Sequence, residues 1–208
     1  MVRVKVCGIT SLVDAVAAID AGADALGFMF YEGSSRYINP ADARSIIKEL
    51  PPFISSVGVF VNLSITGIRE IAAKTGIDTV QLHGEEAPDF CSHIPLPVIK
   101  AFRVESESII VETQRFPNAS ALLLDSYVPG RLGGTGATFN WDLAVQAKQN
   151  GKPIILAGGL TPLNVGEAVQ KVRPFAVDVS SGVESAPGKK DQAKMRDFIS
   201  SVRTASGH

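Results

Sequence analysis

The sequence predicts a (β/α)8 barrel, the TIM-barrel architecture, formed as a single domain by residues 1–208. Eight short apolar segments alternate with eight longer segments in which apolar residues recur at helical spacing. The apolar segments are continuous, as in parallel strands whose sheet is covered by helices on its outer face. No linker or low-complexity segment separates the units, so they close most naturally into one barrel. A doubly wound open sheet is the alternative, because the number of strands does not prove closure.

The four units of the first half are bounded by residues that start or end helices. Asn39 and Pro40 suit the N-cap and first position of a helix, and Gly22 and Gly76 suit helix ends. Pro88 interrupts the fourth helical segment, which we therefore expect to be short and weak. The predicted strands span residues 2–8, 23–31, 54–61 and 79–84, and the predicted helices span residues 11–23, 40–50, 65–76 and 85–94.

The second half repeats this organisation. Thr161 and Pro162 are expected to cap and open the seventh helix, and Gly151 to close the sixth. The predicted strands span residues 97–104, 121–126, 153–159 and 176–182, and the predicted helices span residues 107–116, 140–151, 161–172 and 191–203.

The composition excludes several classes of function. The formal net charge is -1 and there is no basic block, so we expect no nucleic-acid partner. No apolar run is long enough to span a membrane, and the N-terminus lacks the pattern of a secretory signal, so we expect a cytoplasmic protein. Cys7 and Cys91 do not form a disulfide framework. His83, His93 and His208 have no metal-ligand spacing, so no metal is expected.

Polar and ionisable residues follow the predicted strands at the end where this fold builds its sites. In (β/α)8 barrels, the site is formed by the loops after the carboxyl ends of the strands. The residues found at these ends are Cys7, Arg36, Asn62, His83, Lys100, Arg103, Asp125, Gly158, Gly159, Asp178, Ser180 and Ser181. One rim of an otherwise apolar barrel is therefore the candidate site.

The loops after the last two strands predict a phosphate site. Gly158 and Gly159 precede a helix start, and Ser180 and Ser181 follow the next strand. Glycines let backbone N–H groups approach an anion closely, and phosphate sites after strands 7 and 8 recur in this fold. The alternative is that the glycines only form tight turns.

Cys7 and Asp125 are the candidate pair for proton transfer. A free thiol has a pKa near 8.5, so about 3% is thiolate at pH 7, and nearby positive charge raises that share. A carboxyl group acts as an acid where its surroundings raise its pKa. The alternatives are that Cys7 only fills the core, which spacing alone favours, and that Asp125 caps the following loop.

Three further residues are candidates for binding substrate. Arg36 lies in a loop rich in Gly and Ser, where its planar guanidinium is suited to a carboxylate. Asp178 is placed to accept a hydrogen bond from a sugar hydroxyl or a backbone amide. His83 either contacts substrate or bonds within the rim. The glycine-rich segment 128–141 is expected to be a lid or a loop shaped around ligand, or else a flexible connection.

With these motifs assembled, the sequence resembles the phosphoribosylanthranilate isomerase family over nearly its whole length. The resemblance rests on several motifs in the same order: "KVCGIT", "GFMFYEGSSRYINP", "GVFVN", "VQLHG", "LLLDS", "GGTGATFNW", "ILAGGLTPLNV" and "AVDVSSGVESAPGKKD". One departure is Asn140, where the family commonly has Asp. Asn caps a helix as well as Asp does, so no catalytic role is affected.

The resemblance implies a function and a set of roles. It implies a barrel without metal or cofactor that converts N-(5-phosphoribosyl)anthranilate to 1-(2-carboxyphenylamino)-1-deoxyribulose 5-phosphate by an Amadori rearrangement. Asp125 matches the family's general acid, Cys7 its general base, and Arg36 its contact to the anthranilate carboxylate. Asp178 and His83 match its substrate contacts less closely. The phosphate site matches Gly158, Gly159, Ser180 and Ser181. Family members are monomers or homodimers.

Two other kinds of function are weighed against this one. Another phosphosugar enzyme is possible, but a ribulose-phosphate epimerase needs metal ligands at the rim, and the related histidine-pathway isomerase has Asp where Cys7 stands. A barrel that binds phosphate without catalysis would not need Cys7 and Asp125 together.

Overall fold

The eight predicted strands form a closed parallel barrel in the computed structural model, which describes residues 1–126 and 140–207. Each strand pairs with its neighbours in the chain, and the first pairs with the last, which closes the sheet. The predicted (β/α)8 fold is therefore confirmed, and the open sheet is excluded. The strands are β1 (Arg3–Cys7), β2 (Ala25–Met29), β3 (Ser55–Phe60), β4 (Thr79–Leu82), β5 (Val98–Val104), β6 (Ala121–Ser126), β7 (Ile154–Leu156) and β8 (Ala176–Val179).

Helices connect the strands on the outside of the barrel. Asn39 and Asn140 cap helices as predicted, because their side chains accept hydrogen bonds from backbone N–H groups of the first turn. The α-helices are α1 (Leu12–Asp20), α2 (Pro40–Ile47), α3 (Ile65–Thr75), α4 (Ile109–Gln114), α5 (Trp141–Ala147), α6 (Val165–Val172) and α7 (Gln192–Ala205). Short 3-10 helices span Pro88–His93, Lys148–Asn150 and Ser181–Val183.

Three local features differ from the sequence-based expectation. Helix α6 begins at Val165 rather than beside Thr161, because the Asn164 side chain accepts from the Thr161 N–H and holds residues 161–164 in a turn. The segment after β4 forms the 3-10 helix Pro88–His93 instead of an α-helix. An unpredicted hairpin, β9 (Glu184–Ala186) with β10 (Lys189–Lys190), follows β8.

The alternation of side chains along each strand separates two apolar clusters. On β6, Leu122 and Leu124 face the helices, whereas Leu123 faces the barrel interior. The inner cluster consists of Val57, Ile99, Ala101, Ala121, Leu123, Ile155, Ala157 and Ala176. Since side chains alternate with a period of two, Asp125 points to the same side as Leu123. The barrel interior is thus polar at the carboxyl ends of the strands and apolar in the part that the inner cluster fills.

No helix within the described part of the chain is both long and apolar enough to cross a membrane.

The inner cluster makes a measurable contribution to stability. Leu123 is 0% exposed, and Leu123→Ala is expected to lower the free energy of unfolding by about 2–5 kcal/mol, because it leaves a cavity that the closed barrel cannot fill. Urea unfolding followed by circular dichroism measures the change. Leu163→Ala is the matched control, since Leu163 is 97% exposed, and equal losses in the two variants would contradict the assignment.

Candidate active site

A cavity of about 460 Å³ opens at the carboxyl ends of the strands. It is lined by the nine residues to which the sequence analysis gave a site role: Cys7, Arg36, His83, Asp125, Gly158, Gly159, Asp178, Ser180 and Ser181. The structure thus brings these residues together from six strand ends, as the fold requires for a common site. Arg103 also lines the cavity, but Asn62 and Lys100, which the sequence also placed at strand ends, do not. The predicted lid segment falls largely on residues 127–139, which lie outside the described residues.

Cys7 ends β1 on the floor of this cavity, where its side chain is 7% exposed. Gly27 on β2 is its register partner, and a Cβ atom at Gly27 would lie only 2.6 Å from the Cys7 Sγ. Glycine is therefore required beside the thiol. Burial raises the pKa of the Cys7 thiol above its ordinary value, and the charge of Lys5 opposes that rise.

A buried ion pair lies next to Cys7. The Lys5 ammonium donates to the Asp178 carboxylate at 3.0 Å, and both side chains are buried. Burial by itself lowers the pKa of Lys5, but Asp178 and Cys7 raise it more, so the pKa of Lys5 lies above its ordinary value. The thiol therefore has a buried ammonium group and a buried carboxylate as neighbours.

Asp125 lies across the cavity and contacts His83. The His83 Nε2 is 3.3 Å from the Asp125 Oδ2, and the other ring nitrogen, Nδ1, is 3.1 Å from the Gln81 Nε2. When the Gln81 amide donates to Nδ1, Nε2 carries the ring proton and donates to Asp125. Gln81 is 1% exposed, and its Oε1 has no hydrogen-bond partner among the described residues. The chain Gln81–His83–Asp125 orients the carboxylate.

Gly158 allows the β7 loop to approach Asp125 closely. A Cβ atom at Gly158 would lie 2.1 Å from the Ser126 backbone nitrogen and 2.7 Å from the Asp125 Oδ1. The φ angles of Gly158 and Gly159 are 78° and 63°, in the left-handed region that favours glycine. These glycines therefore do form a tight turn, and the same turn lines the cavity beside Ser180 and Ser181.

Arg36 is held by a partner that the sequence analysis did not single out. Its Nε and Nη2 donate to the two carboxylate oxygens of Glu184 at 2.8 and 2.7 Å. Lys190 donates to the same carboxylate at 2.9 Å and also to the Ser180 carbonyl at 3.3 Å. Burial by itself raises the pKa of Glu184, but Arg36 and Lys190 lower it below its ordinary value. The Nη1 group of Arg36 has no hydrogen-bond partner among the described residues.

The sequence analysis did not single out four residues that lie around the site. Two of them, Lys5 and Gln81, could have been found from a sequence pattern. Lys5 and Gln81 interrupt apolar strands two residues before Cys7 and His83, so strand periodicity places each pair on one face. Glu184 and Lys190 gave no such signal, because they come together through the hairpin of β9 and β10. The Pro-Gly dipeptide at 187–188 indicates only a turn.

The described residues contain no group of three or more His, Cys, Asp or Glu side chains that would hold a metal ion.

Comparison with known proteins identifies the family. The family model for N-(5'-phosphoribosyl)anthranilate (PRA) isomerase matches residues 4–201. The chain belongs to the PRA isomerase family. The PRA isomerase of Geobacter metallireducens is 57% identical to it over 199 residues, which are 96% of this chain and 98% of that relative. The family predicted from the motifs is confirmed, and the chain is therefore an enzyme of this family.

Solved PRA isomerase structures agree with the barrel described above. That of Thermotoga maritima superposes with a TM-score of 0.93 at 46% identity, and the match covers 98% of this chain and 100% of that one. A PRA isomerase in complex with reduced 1-(o-carboxyphenylamino)-1-deoxyribulose 5-phosphate superposes with a TM-score of 0.89 at 44% identity, covering 98% and 100%.

The close approach at Gly158 leads to a test with a control in the same chain. Gly158→Ala is expected to displace Asp125 and to lower turnover about a hundredfold, the effect of misplacing a catalytic group by about 1 Å. Gly151→Ala carries the same backbone strain, because Gly151 has a φ of 76°, but a Cβ there meets nothing within 4 Å. Gly151→Ala should lose about 1–2 kcal/mol of stability from the backbone strain alone, and Gly158→Ala should lose more, because its Cβ also overlaps the Ser126 backbone. If Gly151→Ala lost as much turnover, the steric argument would be wrong.

Proposed function

We propose that this chain converts N-(5'-phosphoribosyl)anthranilate to 1-(2-carboxyphenylamino)-1-deoxyribulose 5-phosphate by an Amadori rearrangement, with Asp125 as general acid and Cys7 as general base. The observation that carries the proposal is the placement of these two groups in one cavity. They lie on β1 and β6, which are separated by two strands on one side of the barrel and four on the other. A ribose chain between them meets an acid on one side and a base on the other.

The two anionic ends of the substrate have different binding groups. The segments 158–159 and 180–181 line the cavity and are suited to the phosphate, because glycines with positive φ let backbone N–H groups approach an anion closely. Arg36 is suited to the anthranilate carboxylate. Glu184 holds the Nε side of the guanidinium, and this fixes the direction in which the Nη1 N–H groups point.

In the first step, Asp125 donates its proton to the ring oxygen of the ribose. The bond from that oxygen to C1 breaks as the nitrogen lone pair forms a C1=N bond, so the sugar opens to a cationic imine. His83 acts here as a positioning residue, because it bonds to the second oxygen of the Asp125 carboxyl group.

In the second step, the Cys7 thiolate takes the proton from C2. The electrons of that C–H bond form a C1=C2 bond, and the C1=N electrons return to nitrogen, which neutralises the imine. The enolamine then loses its O2 proton and gains one at C1, which gives the ketone. Protons only move within the system, so no oxidant or reductant is needed.

A thiol is an adequate base for this proton. A C–H bond next to a cationic imine is much more acidic than one in a neutral sugar, and a fixed geometry supplies part of the remaining barrier. Asp178 also lines the cavity, and its Oδ1 is engaged by Lys5. We assign its other oxygen to a ribose hydroxyl.

The wider properties of the protein remain as the sequence predicts them. We propose a single domain over residues 1–208, a cytoplasmic location, a monomer or homodimer, and no metal or cofactor in the reaction.

Removing either catalytic group tests the mechanism. Cys7→Ala and Asp125→Asn are each expected to lower kcat about 10²–10⁴-fold, the typical contribution of one acid or base. The assay generates N-(5'-phosphoribosyl)anthranilate in situ and follows the loss of its fluorescence. Cys91→Ala is the matched control, because Cys91 is a buried thiol of the outer core that does not line the cavity. Near-wild-type turnover in Cys7→Ala would contradict the role of Cys7 as general base and would indicate that its side chain only fills the core.

The role of Arg36 is tested by separating binding from chemistry. Arg36→Ala is expected to raise KM about ten- to a hundredfold with a smaller effect on kcat, because a charge-assisted hydrogen bond contributes about 1.5–3 kcal/mol. Glu184 keeps Lys190 as a partner in this variant. Arg44→Ala is the control, since Arg44 is exposed on α2. An unchanged KM for Arg36→Ala would contradict the carboxylate contact.

A further inference from the structure

We propose that Lys5 is a positioning residue for Cys7: its buried ammonium group is the counter-charge that allows the thiol to become a thiolate, and Asp178 limits how much of that charge the thiol receives. The inference rests on the proposed function, in which Cys7 is the base. It adds that Lys5 and Asp178 together control the formation of the Cys7 thiolate.

The register of the barrel places the three groups together. Lys5 and Cys7 are two residues apart on β1, so both side chains point to the interior. Asp178 on β8 is the register partner of Lys5, and the Lys5 Nζ donates to its Oδ1 at 3.0 Å. The ammonium group therefore stands between a carboxylate on one strand and the thiol on its own strand.

Gly27 makes the space in which Lys5 and Cys7 meet. A Cβ atom at this position would lie 2.6 Å from the Cys7 Sγ and 3.1 Å from the Lys5 Cε. Both side chains thus reach the same point on the β2 side of the barrel, and any larger residue at position 27 would separate them. The contact between Lys5 and Cys7 therefore requires glycine at position 27.

The charges around Cys7 act in opposite directions. Burial disfavours the thiolate, the charge of Lys5 favours it, and that of Asp178 disfavours it. Lys190 and Arg36 also face the thiol and share the single carboxylate of Glu184, so these three groups together keep one positive charge. Lys5 is the cation with the largest effect on the thiol, and its pKa above the ordinary value keeps it charged at neutral pH.

This arrangement couples the base to the substrate. With the thiol neutral, the charges of Lys5 and Asp178 cancel. With the thiolate formed, Lys5, Asp178 and Cys7 together carry one excess negative charge in a buried site. Lys190, the weaker of the two cations acting on the thiol, offsets this charge only in part, so a further cationic partner stabilises it. The cationic imine formed after ring opening supplies that partner. The charge balance therefore favours the thiolate at the step in which it takes the C2 proton.

The test measures thiolate formation directly and needs no turnover. The rate of iodoacetamide alkylation at Cys7 is followed against pH by peptide mass spectrometry, which resolves Cys7 from Cys91. Lys5→Met is expected to move the alkylation midpoint to higher pH and Asp178→Asn to lower pH. A shift of one pH unit corresponds to about a tenfold change in thiolate below the midpoint, so the two variants should differ by at least that factor at pH 7.5.

The chain provides a matched control pair. Lys100 and Glu86 form a second buried ion pair near β4 and β5, in which the Lys100 Nζ is 2.9 Å from the Glu86 Oε2. Neither residue is among the charges that shift the pKa of Cys7. Lys100→Met and Glu86→Gln should leave the Cys7 midpoint unchanged. Removing one partner of a buried pair costs about 3–5 kcal/mol. If Lys5→Met does not fold, the near-isosteric Asp178→Asn decides the test alone.

The outcomes separate this inference from the proposed function. Opposite shifts for Lys5→Met and Asp178→Asn support it, and the acid limb of the kcat/KM profile should then move with each midpoint. Shifts in the same direction, or none beyond those of the Lys100 and Glu86 variants, overturn it even if Cys7 is needed for turnover. Opposite shifts without a matching change in the kcat/KM profile would keep the Lys5 effect and remove Cys7 as the base.

Discussion

The pairing of β1 with β8 is the contact on which the site depends. It closes the barrel, and it places Lys5 beside Asp178 although they are 173 positions apart in the chain. Closure leaves no sheet edge, so the register of every strand is constrained by both neighbours. The inward-facing ends of β1, β6 and β8 consequently converge on one cavity, and Cys7, Asp125 and Asp178 face one another across it.

Buried charge is concentrated at this end of the barrel, and each charged group has a partner. Lys5 pairs with Asp178, Lys100 with Glu86, and Glu184 with both Arg36 and Lys190. A pair of this kind contributes little net stability, because desolvation offsets most of the attraction. The apolar clusters stabilise the fold. The pairs that hold Asp178 and Arg36, two residues that line the cavity, are better explained by what they do there, which is to orient donors and to set the charge that a bound group meets.

Two glycines, Gly27 and Gly158, determine how closely the groups around the cavity approach one another. Gly27 admits the Cys7 and Lys5 side chains to one point, and Gly158 brings the β7 loop against Asp125. In both places the absence of a side chain lets neighbouring groups approach one another closely. Glycine is therefore a geometric requirement of the cavity at both positions, and at Gly158 the positive φ of the turn adds a second requirement.

The sequence by itself determined the eight strand–helix units and the nine candidate residues that line the cavity, whereas barrel closure was only the favoured of two arrangements. Apolar segments alternating with helical ones identify the eight units, and the position of Cys7, Asp125 or Ser180 at the end of a segment is a local property that the chain displays directly. Helix starts were predictable where a side chain caps its own helix, as Asn39 does. The start of α6 was not, because the Asn164 side chain accepts a hydrogen bond from the Thr161 N–H and holds residues 161–164 in a turn before the helix.

Only the tertiary structure decided which side chains the charged residues of the site contact. Arg36 is bound by Glu184, and Lys5 stands between Cys7 and Asp178, because the barrel closes and the β9–β10 hairpin folds over its rim. Those contacts join residues that are far apart in the chain, so no periodicity or motif records them. Local patterns reflect which way a side chain points, whereas the charge that it meets depends on the strands and loops that packing brings beside it.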